Sequence, residues 1–300
     1  MPTCASAATR PKAAHLGCSL NLIHIHYRTR KDNLMNITSA KAIYFSPTQT
    51  TKKIVQAIGQ GIQIPSIEDI DLTFAKSNGA LPRIHQNQLA IIGSPVYTGR
   101  VPLPVISKLQ GLKGDGGPAI IVVLYGNRAY EDALIELRDI VTEAGFKVTA
   151  AAAFIGEHSY SNPTTPVAAG RPDNDDIAKA TAFGRMVREK LSASSRTHEM
   201  APLSVPGNHP YKERGALLNI SPDTIEEICT KCGQCASVCP TGVITVGSAI
   251  VTDKSGCIKC CACVKICPTK ARVMQEPRIQ QVMAQLTVKC SARKEPETYL

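Results

Sequence analysis

Long hydrophobic runs are scarce in this sequence of 300 residues, and aromatic side chains make up only 4% of it. The longest apolar stretches, near Ala119–Tyr125 and Ala150–Ile155, are too short to cross a bilayer, which takes about 20 residues. The formal net charge of +10 would suit nucleic acid, but no basic stripe is interleaved with aromatics. We therefore expect no membrane span and no nucleic-acid ligand, and favour acidic proteins as partners.

Hydrophobic periodicity is also missing from residues 1–34, which are rich in Ala, Ser, Thr and basic side chains. This composition resembles that of a transit peptide, but an upstream start codon ahead of a start at Met35 explains it equally well. No clean apolar signal-peptide core precedes the cysteines. We expect a disordered N-terminal extension and a protein of a reducing compartment, the cytoplasm.

Beyond this extension, short apolar runs alternate with helical patterns. The predicted strands are Ala42–Phe45, Ile67–Thr73, Gln88–Gly93, Ala119–Tyr125 and Lys147–Ile155, and the predicted helices are Thr51–Ile62, Leu103–Leu109, Tyr130–Ala144 and Asp173–Ser194. Several strands are apolar without alternation, which is typical of a parallel sheet covered on both faces. Residues 35–195 therefore predict a five-stranded parallel, doubly wound α/β sheet with the flavodoxin-like order 2-1-3-4-5.

The second half of the chain is divided by its composition. Residues 196–222 are rich in proline and predict a linker, residues 223–276 form a cysteine-rich module, and residues 277–300 a C-terminal tail with a short helix near Arg278–Val288. Nine of the twelve cysteines fall between Cys229 and Cys267. Such crowding indicates either disulfides or metal, and a reducing compartment favours metal.

Two segments of the module repeat the pattern C-x2-C-x2-C-x3-C-P. They are "CTKCGQCASVCP" (Cys229–Pro240) and "CIKCCACVKICP" (Cys257–Pro268), and they superpose at a shift of 28 residues. This spacing is typical of two-cluster [4Fe–4S] ferredoxins, in which the fourth cysteine of each run binds the other cluster. We predict one cluster on Cys229, Cys232, Cys235 and Cys267 and a second on Cys257, Cys260, Cys263 and Cys239, within a small α+β bacterial-type ferredoxin domain. Zinc or disulfides are the alternative, and Cys261 and Cys290 are unassigned.

The loop "SPTQTT" follows the first predicted strand and opens the first helix. Its hydroxyls and the free amides of the helix start would bind a phosphate. The loop lacks the G-x-G-x-x-G of dinucleotide sites and the G-K-[ST] of nucleotide triphosphate sites. A phosphate monoester such as FMN is therefore the better candidate, although a Ser/Thr-rich helix cap without a ligand is also possible.

The same loop resembles the phosphate loop of flavodoxins, [ST]-x-[ST]-G-x-T, with Gln49 in place of the glycine. Flavodoxins sandwich the isoalloxazine ring between two further loops, which correspond here to "GSPVYTGRVP" after the third strand and "YGNRAY" after the fourth. The resemblance implies an FMN site made of Ser46, Pro47, Thr48, Gln49, Thr50, Thr51, Ser94, Pro95, Val96, Tyr97, Thr98, Gly99, Arg100, Tyr125, Gly126, Asn127 and Tyr130. In this site Tyr97 would stack on the ring, and Arg100 would neutralise a reduced flavin.

The order of these segments, with "GEHSYS" after the fifth strand and "PGNHPYKE" in the linker, resembles one family of fusions, the EFR-type ferrodoxins. The resemblance extends from Met35 to the C-terminus. It implies an electron-transfer protein that passes electrons between FMN, two [4Fe–4S] clusters and soluble redox proteins or reductases. Two alternatives stay open: a flavin-dependent reductase of an organic substrate with the ferredoxin module as electron inlet, and a ferredoxin-type carrier with an empty flavodoxin-like domain.

Overall fold

The computed structural model describes residues 37–74, 81–194, 200–215 and 218–300, so the extension predicted at 1–34 lies outside the described residues. The first half contains β1 Ser39–Tyr44, α1 Thr50–Ile62, β2 Ile67–Asp71, β3 Arg83–Ile84, β4 Gln88–Pro95, α2 Leu103–Leu109, β5 Lys113–Gly114, β6 Pro118–Tyr125, α3 Ala133–Glu143, β7 Lys147–Ile155 and α4 Asn174–Ala193. The second half contains β8 Asp223–Thr224, a 3-10 turn Glu226–Ile228, α5 Gln234–Ser237, β9 Ile244–Val246, β10 Ile250–Thr252, α6 Ala262–Ile266, β11 Arg272–Val273, α7 Pro277–Lys289 and β12 Glu297–Tyr299.

The central sheet has the order β12-β7-β6-β4-β1-β2. Its five long strands are parallel and follow the predicted order 2-1-3-4-5, which confirms the flavodoxin-like fold. Every residue of β6 is buried, because helices cover both faces of the sheet. None of the helices within the described ranges combines the length and the hydrophobicity that a bilayer crossing requires.

The sixth strand was not predicted from the sequence. The C-terminal residues Glu297–Tyr299 pair antiparallel with Ala151–Ala153 at the free edge of β7. A three-residue polar strand has no recognisable pattern of its own, and its pairing depends on an edge that exists only after the sheet has folded. The tail predicted at 277–300 therefore consists of α7 and a strand that returns to the flavodoxin-like sheet.

The cysteine-rich segment is built from two similar halves. β9 pairs with β10 and β8 with β11, both antiparallel. Left-handed backbone recurs at the same positions of the two repeats: Lys231 and Lys259, Gly233 and Cys261, Gly242 and Lys270. Cys261 thus adopts, with a φ of 57°, the conformation that glycine supplies in the other repeat, and its thiol is buried.

The proline-rich segment 200–215 packs along α3. The carboxylate of Asp132 accepts hydrogen bonds from the backbone amides of Asn208 (2.9 Å) and Lys212 (2.6 Å). Burial by itself would raise the pKa of Asp132, but these hydrogen bonds lower it below its usual value. The segment predicted as a linker is therefore fixed to the flavodoxin-like domain along this stretch.

Candidate functional site

A cavity of about 600 Å³ lies at the carboxyl ends of the parallel strands. Ten of the predicted FMN residues line it: Pro47, Thr48, Thr50, Thr51, Pro95, Val96, Tyr97, Thr98, Tyr125 and Gly126. Carboxyl ends of parallel strands meet at one edge of a doubly wound sheet, so the three loops converge there. The volume falls within the range of small-molecule sites, about 300–1,000 Å³.

The loop before α1 has the conformation that a glycine would permit. Gln49 has a φ of 64°, in the left-handed region, and its side-chain amide donates to the carbonyl oxygen of Ser46 at 3.1 Å. The hydroxyl of Ser46 accepts a hydrogen bond from the amide of Lys52 at 3.0 Å and so satisfies one free amide of the helix start. Ser46 and Gln49 thus shape the loop, and Thr48, Thr50 and Thr51 line the cavity.

One hydroxyl of this loop is buried without a partner. Thr51 is 1% exposed, and its Oγ1 has no hydrogen-bond partner within the described residues. Buried hydroxyls are normally paired, since leaving one unpaired costs about 1–3 kcal/mol. Thr51 also lines the cavity at the amino end of α1, where the helix dipole favours an anion. The donor set therefore fits a phosphate group.

Seven of the predicted FMN residues are not part of the cavity wall in the described structure: Ser46, Gln49, Ser94, Gly99, Arg100, Asn127 and Tyr130. Arg100 is buried and donates to both carboxylate oxygens of Glu136, at 2.9 and 2.8 Å, and its guanidinium lies 4.7 Å from the ring centre of Tyr211. Arg100, which was predicted to neutralise a reduced flavin, is therefore already paired with Glu136. Arg214 donates to the same Glu136 at 2.7 Å.

Asn127 and Tyr130 hold the C-terminal segment. The side-chain amide of Asn127 donates to the carbonyl oxygens of Cys290 (2.7 Å) and Ala292 (2.8 Å). The hydroxyl of Tyr130 donates to Glu297 at 2.7 Å. Both residues lie in the loop predicted to contact the flavin, yet their side chains bind the chain that follows α7.

Further wall residues were not among the predicted FMN residues. Pro102 and Arg128 belong to the two predicted flavin loops, and His158 and Tyr160 belong to the fifth loop, which the sequence suggested could cover the flavin or face the ferredoxin module. The others are Leu103, Pro104, Leu124, Gly156, Glu157, Ser159, Lys212, Arg214, Gly215, Ile258, Lys259, Val282 and Leu286. Arg128 follows Asn127 directly, so the motif "YGNRAY" could have indicated it. The sequence has no signal for Ile258, Lys259, Val282 and Leu286, which belong to the cysteine-rich segment and α7.

His158 lies against Gly126, where a Cβ atom would stand 2.4 Å from the imidazole ring. Its Nδ1 accepts a hydrogen bond from the amide of Tyr160 at 3.1 Å, so the neutral ring carries its proton on Nε2. Burial, with the nearby charges of Arg128 and Lys265, lowers the pKa of His158 to about 4. The ring is therefore uncharged at neutral pH.

Two small cavities in the cysteine-rich segment divide the eight predicted ligands into two sets. Cys229, Cys232, Cys235 and Cys267 line one. Cys239, Cys257, Cys260 and Cys263 line the other. These are the two crossed sets that the spacing predicts, since each run contributes three cysteines to one cavity and its fourth to the other.

The ten cysteines of the described residues are free thiols, so none forms a disulfide there. Within the same residues, no group of His, Cys, Asp or Glu side chains is arranged around a point that would hold a single ion. The eight predicted ligands line two cavities, one of which Cys261 also lines, and four thiols around a cavity are the donor set of a [4Fe–4S] cluster.

Each set of thiols has a threonine hydroxyl near one of its sulfur atoms, and the two sets share an arginine. The hydroxyl of Thr241 lies 3.7 Å from the sulfur of Cys239, and that of Thr269 lies 3.8 Å from the sulfur of Cys267. Arg272 lines both cavities, and its Nε is buried without a hydrogen-bond partner among the described residues. An arginine there would stabilise the negative charge of either cluster, because a cluster with four thiolates is anionic.

Burial raises the pKa of Cys260 to about 12 and that of Cys261 well above its ordinary value. Binding of a cluster by Cys260 would require its thiolate, so cluster assembly there would release a proton. Burial raises the pKa values of Tyr97 and Tyr160, which line the cavity at the carboxyl ends of the strands, and negative charge on Cys260 and Cys261 would raise them further.

Residues 222–281 match a family described as a 4Fe-4S dicluster domain. No curated protein matches the chain. Among solved structures, an archaeal flavodoxin is 18% identical over 51% of this chain and 98% of its own, with a TM-score of 0.37. A Streptococcus pneumoniae flavodoxin is 14% identical over 51% and 99%, with a TM-score of 0.34. The rubredoxin oxygen:oxidoreductase of Desulfovibrio gigas is 14% identical over 52% of this chain and 36% of its own, with a TM-score of 0.36.

The chain thus joins a flavodoxin-like α/β domain to a 4Fe-4S dicluster domain. Iron–sulfur clusters exchange electrons, and their potentials are set by charge, hydrogen bonds and burial. This combination supports a redox role in electron transfer.

Proposed function

We propose that this protein is an electron carrier that binds FMN and two [4Fe–4S] clusters and passes electrons between them and a redox partner. The observation that carries the proposal is the shared cavity, which is lined both by Thr48 and Thr51 of the phosphate loop and by Ile258 and Lys259 of the second cysteine run. A flavin in this cavity would lie beside the second cluster. Fusion of the two domains removes the need for a diffusional encounter between the two cofactors.

The residues of the loop before α1 and of the start of this helix fit the phosphate of FMN. Thr51 offers an unpaired buried hydroxyl, Thr48 and Thr50 offer two more, and the first amides of α1 are free of intrahelical partners. Val96, Tyr97 and Tyr125 form the apolar wall that would lie against the ring. FMN would supply one- and two-electron chemistry, and the protein's residues would position the ring and exclude water.

We assign the two clusters to the two crossed sets of cysteines. Support comes from their division between two cavities and from Arg272 between the sets. We also propose that the chain is related to the EFR-type ferrodoxins, and the order of its segments, from the phosphate loop to the second cysteine run, supports this relationship.

The partner that we propose is a soluble redox protein or reductase. Cys232 of the first set is exposed, so an external protein would reach this cluster more easily than the second. Ten free thiols agree with a reducing compartment, for which we propose the cytoplasm.

Cofactor analysis of anaerobically purified full-length protein tests the proposal. We expect one FMN per chain, iron and sulfide for two [4Fe–4S] clusters, and flavin absorption on a broad iron–sulfur background. Zinc in place of iron would refute the cluster assignment, and two clusters without flavin would show that the flavodoxin-like domain is empty. Steady turnover of a quinone or an enoate with reduced ferredoxin as the donor would instead assign a reductase.

A further inference from the structure

The two cysteine runs have the same local conformation but different surroundings. Lys231 and Lys259 occupy equivalent positions, with φ values of 53° and 57°. Lys231 is exposed, as are Thr230 before it and Cys232 after it. Ile258 and Lys259, the equivalents of Thr230 and Lys231, line the flavin cavity. The two runs therefore share a local backbone conformation, but the first is exposed at these positions and the second lines the cavity.

Ile258 connects the second run to the flavodoxin-like domain by apolar packing. It is half-buried and packs against the core cluster that contains Val101, Tyr125 and Tyr130. Burial of part of this aliphatic side chain stabilises the contact between the second run and the flavodoxin-like domain. The equivalent Thr230 is polar and exposed, so the first run has no such contact at this position.

Lys265 adds a polar connection nine residues into the second run. Its ammonium donates to the carbonyl oxygen of Ser161 at 2.6 Å and forms an ion pair with Glu157. Glu157 itself lines the flavin cavity. In the first run the equivalent residue is Ser237, whose hydroxyl bonds the carbonyl of Gln234 on its own short helix.

The loop that presents Ile258 and Lys259 lies between Cys257 and Cys260. The ammonium of Lys259 donates to the carbonyl oxygens of Leu218 (3.2 Å) and Cys257 (3.3 Å), which holds the charge at the cavity. Two thiolates bound to one cluster would fix both ends of this two-residue loop. Without the cluster, the loop would regain conformational freedom, and ordering it on flavin binding would cost free energy.

We propose that the second cysteine run completes the flavin site, so that flavin affinity depends on the second cluster and not on the first. This proposal rests on the proposed function, because it assumes that FMN occupies the cavity. Ile258 provides apolar wall and Lys259 a positive charge beside an anionic ligand. Since coupling between two binding sites is reciprocal, bound FMN stabilises the second cluster by the same factor.

The test compares the equivalent variants Cys260→Ala and Cys232→Ala in the full chain. Each removes one ligand, from the second and the first cluster respectively, and iron content and EPR establish which cluster is lost. FMN dissociation constants are measured by fluorescence quenching. We expect Cys260→Ala to weaken FMN binding by about tenfold or more, and Cys232→Ala to leave it within about twofold of the wild type.

A second pair of variants keeps both clusters. We expect Lys259→Ala to weaken FMN binding by about tenfold, as for the loss of one contact to a charged group, and Lys231→Ala to have no effect. The two lysines share a left-handed backbone, so any strain from alanine is matched. At equilibrium, the chelator concentration that removes half of the second cluster should rise when FMN is bound, because the coupling between the two sites is reciprocal.

The outcomes separate this proposal from the proposed function. If wild-type protein binds no FMN, both fail. If wild type binds FMN but Cys260→Ala and Lys259→Ala bind it equally well, only the dependence on the second run is refuted. Equal weakening by Cys232→Ala or Lys231→Ala would also refute it, because the effect would then come from the whole domain and not from the wall of the cavity.

Discussion

Thr51→Val should change stability and flavin affinity in opposite directions. The hydroxyl of Thr51 is buried and unpaired within the described structure, whereas its methyl group packs against Gly93, where a Cβ atom would lie 2.8 Å from Thr51 Cγ2. Valine keeps that methyl group and nearly the same volume. The substitution therefore removes one polar atom and little else.

The two effects have separate magnitudes. An unpaired buried hydroxyl costs about 1–3 kcal/mol, so its removal should raise the free energy of unfolding of the flavin-free protein by about 1 kcal/mol. A hydrogen bond to a charged phosphate contributes about 1.5–3 kcal/mol. Its loss should raise the FMN dissociation constant by about 10- to 150-fold.

Urea unfolding of the flavin-free protein measures the first effect, and an FMN titration followed by fluorescence quenching measures the second. Thr50→Val is the matched control for stability, because the Thr50 hydroxyl has a partner in Thr48 Oγ1 at 3.4 Å. We expect no stabilisation from that control. A Thr51→Val protein that is less stable than wild type and binds FMN with unchanged affinity would refute the phosphate site.

Three further predictions concern the crossed ligands and the contacts that hold the segments together. Cys239→Ala should remove the second cluster and spare the first, and Cys267→Ala should do the reverse. Iron content and EPR identify which cluster is lost, and loss of the first cluster in Cys239→Ala would contradict the crossed ligation. Arg100→Met should lower the free energy of unfolding by about 1.5–3 kcal/mol, because buried Glu136 loses two charged hydrogen bonds but keeps those from Arg214 and the Val101 amide. A variant of near wild-type stability would contradict the importance of this ion pair. Asn127→Ala should increase hydrogen exchange of the backbone after Cys290 without lowering iron content, whereas unchanged exchange would show that other contacts hold this segment.

The sequence was most informative where short-range patterns determine structure. Continuous apolar runs such as "AIIVVLY" define buried strands, and strand order follows from right-handed crossovers, so the parallel core of the sheet was predicted correctly. The crossed division of the eight cysteines stays a prediction, which the repeated spacing supplies through its likeness to two-cluster ferredoxins and with which the two cavities agree. Gln49 shows a limit of such reasoning, since only the backbone reveals that glutamine adopts the conformation of a glycine.

Side-chain partners could not be predicted in the same way. Arg100, Asn127 and Tyr130 lie in loops whose position suggested the flavin, yet they bind Glu136, the chain after α7 and Glu297. Each of these partners is at least 36 residues away along the chain. A loop motif predicts where a residue lies in the fold, but it does not predict which side chain or carbonyl from a distant part of the chain will be its hydrogen-bond partner.

The local elements, the repeat of two cysteine runs and the loops at the carboxyl edge could be predicted from the sequence, because each depends on residues close together in the chain. Which run lines the cavity at the carboxyl edge, and where the final strand pairs, became visible only in the folded chain. Local conformation is the same in both runs, so the difference comes from packing. Ile258 and Lys265 find partners on the flavodoxin-like domain, whereas Thr230 and Ser237 do not extend beyond their own module.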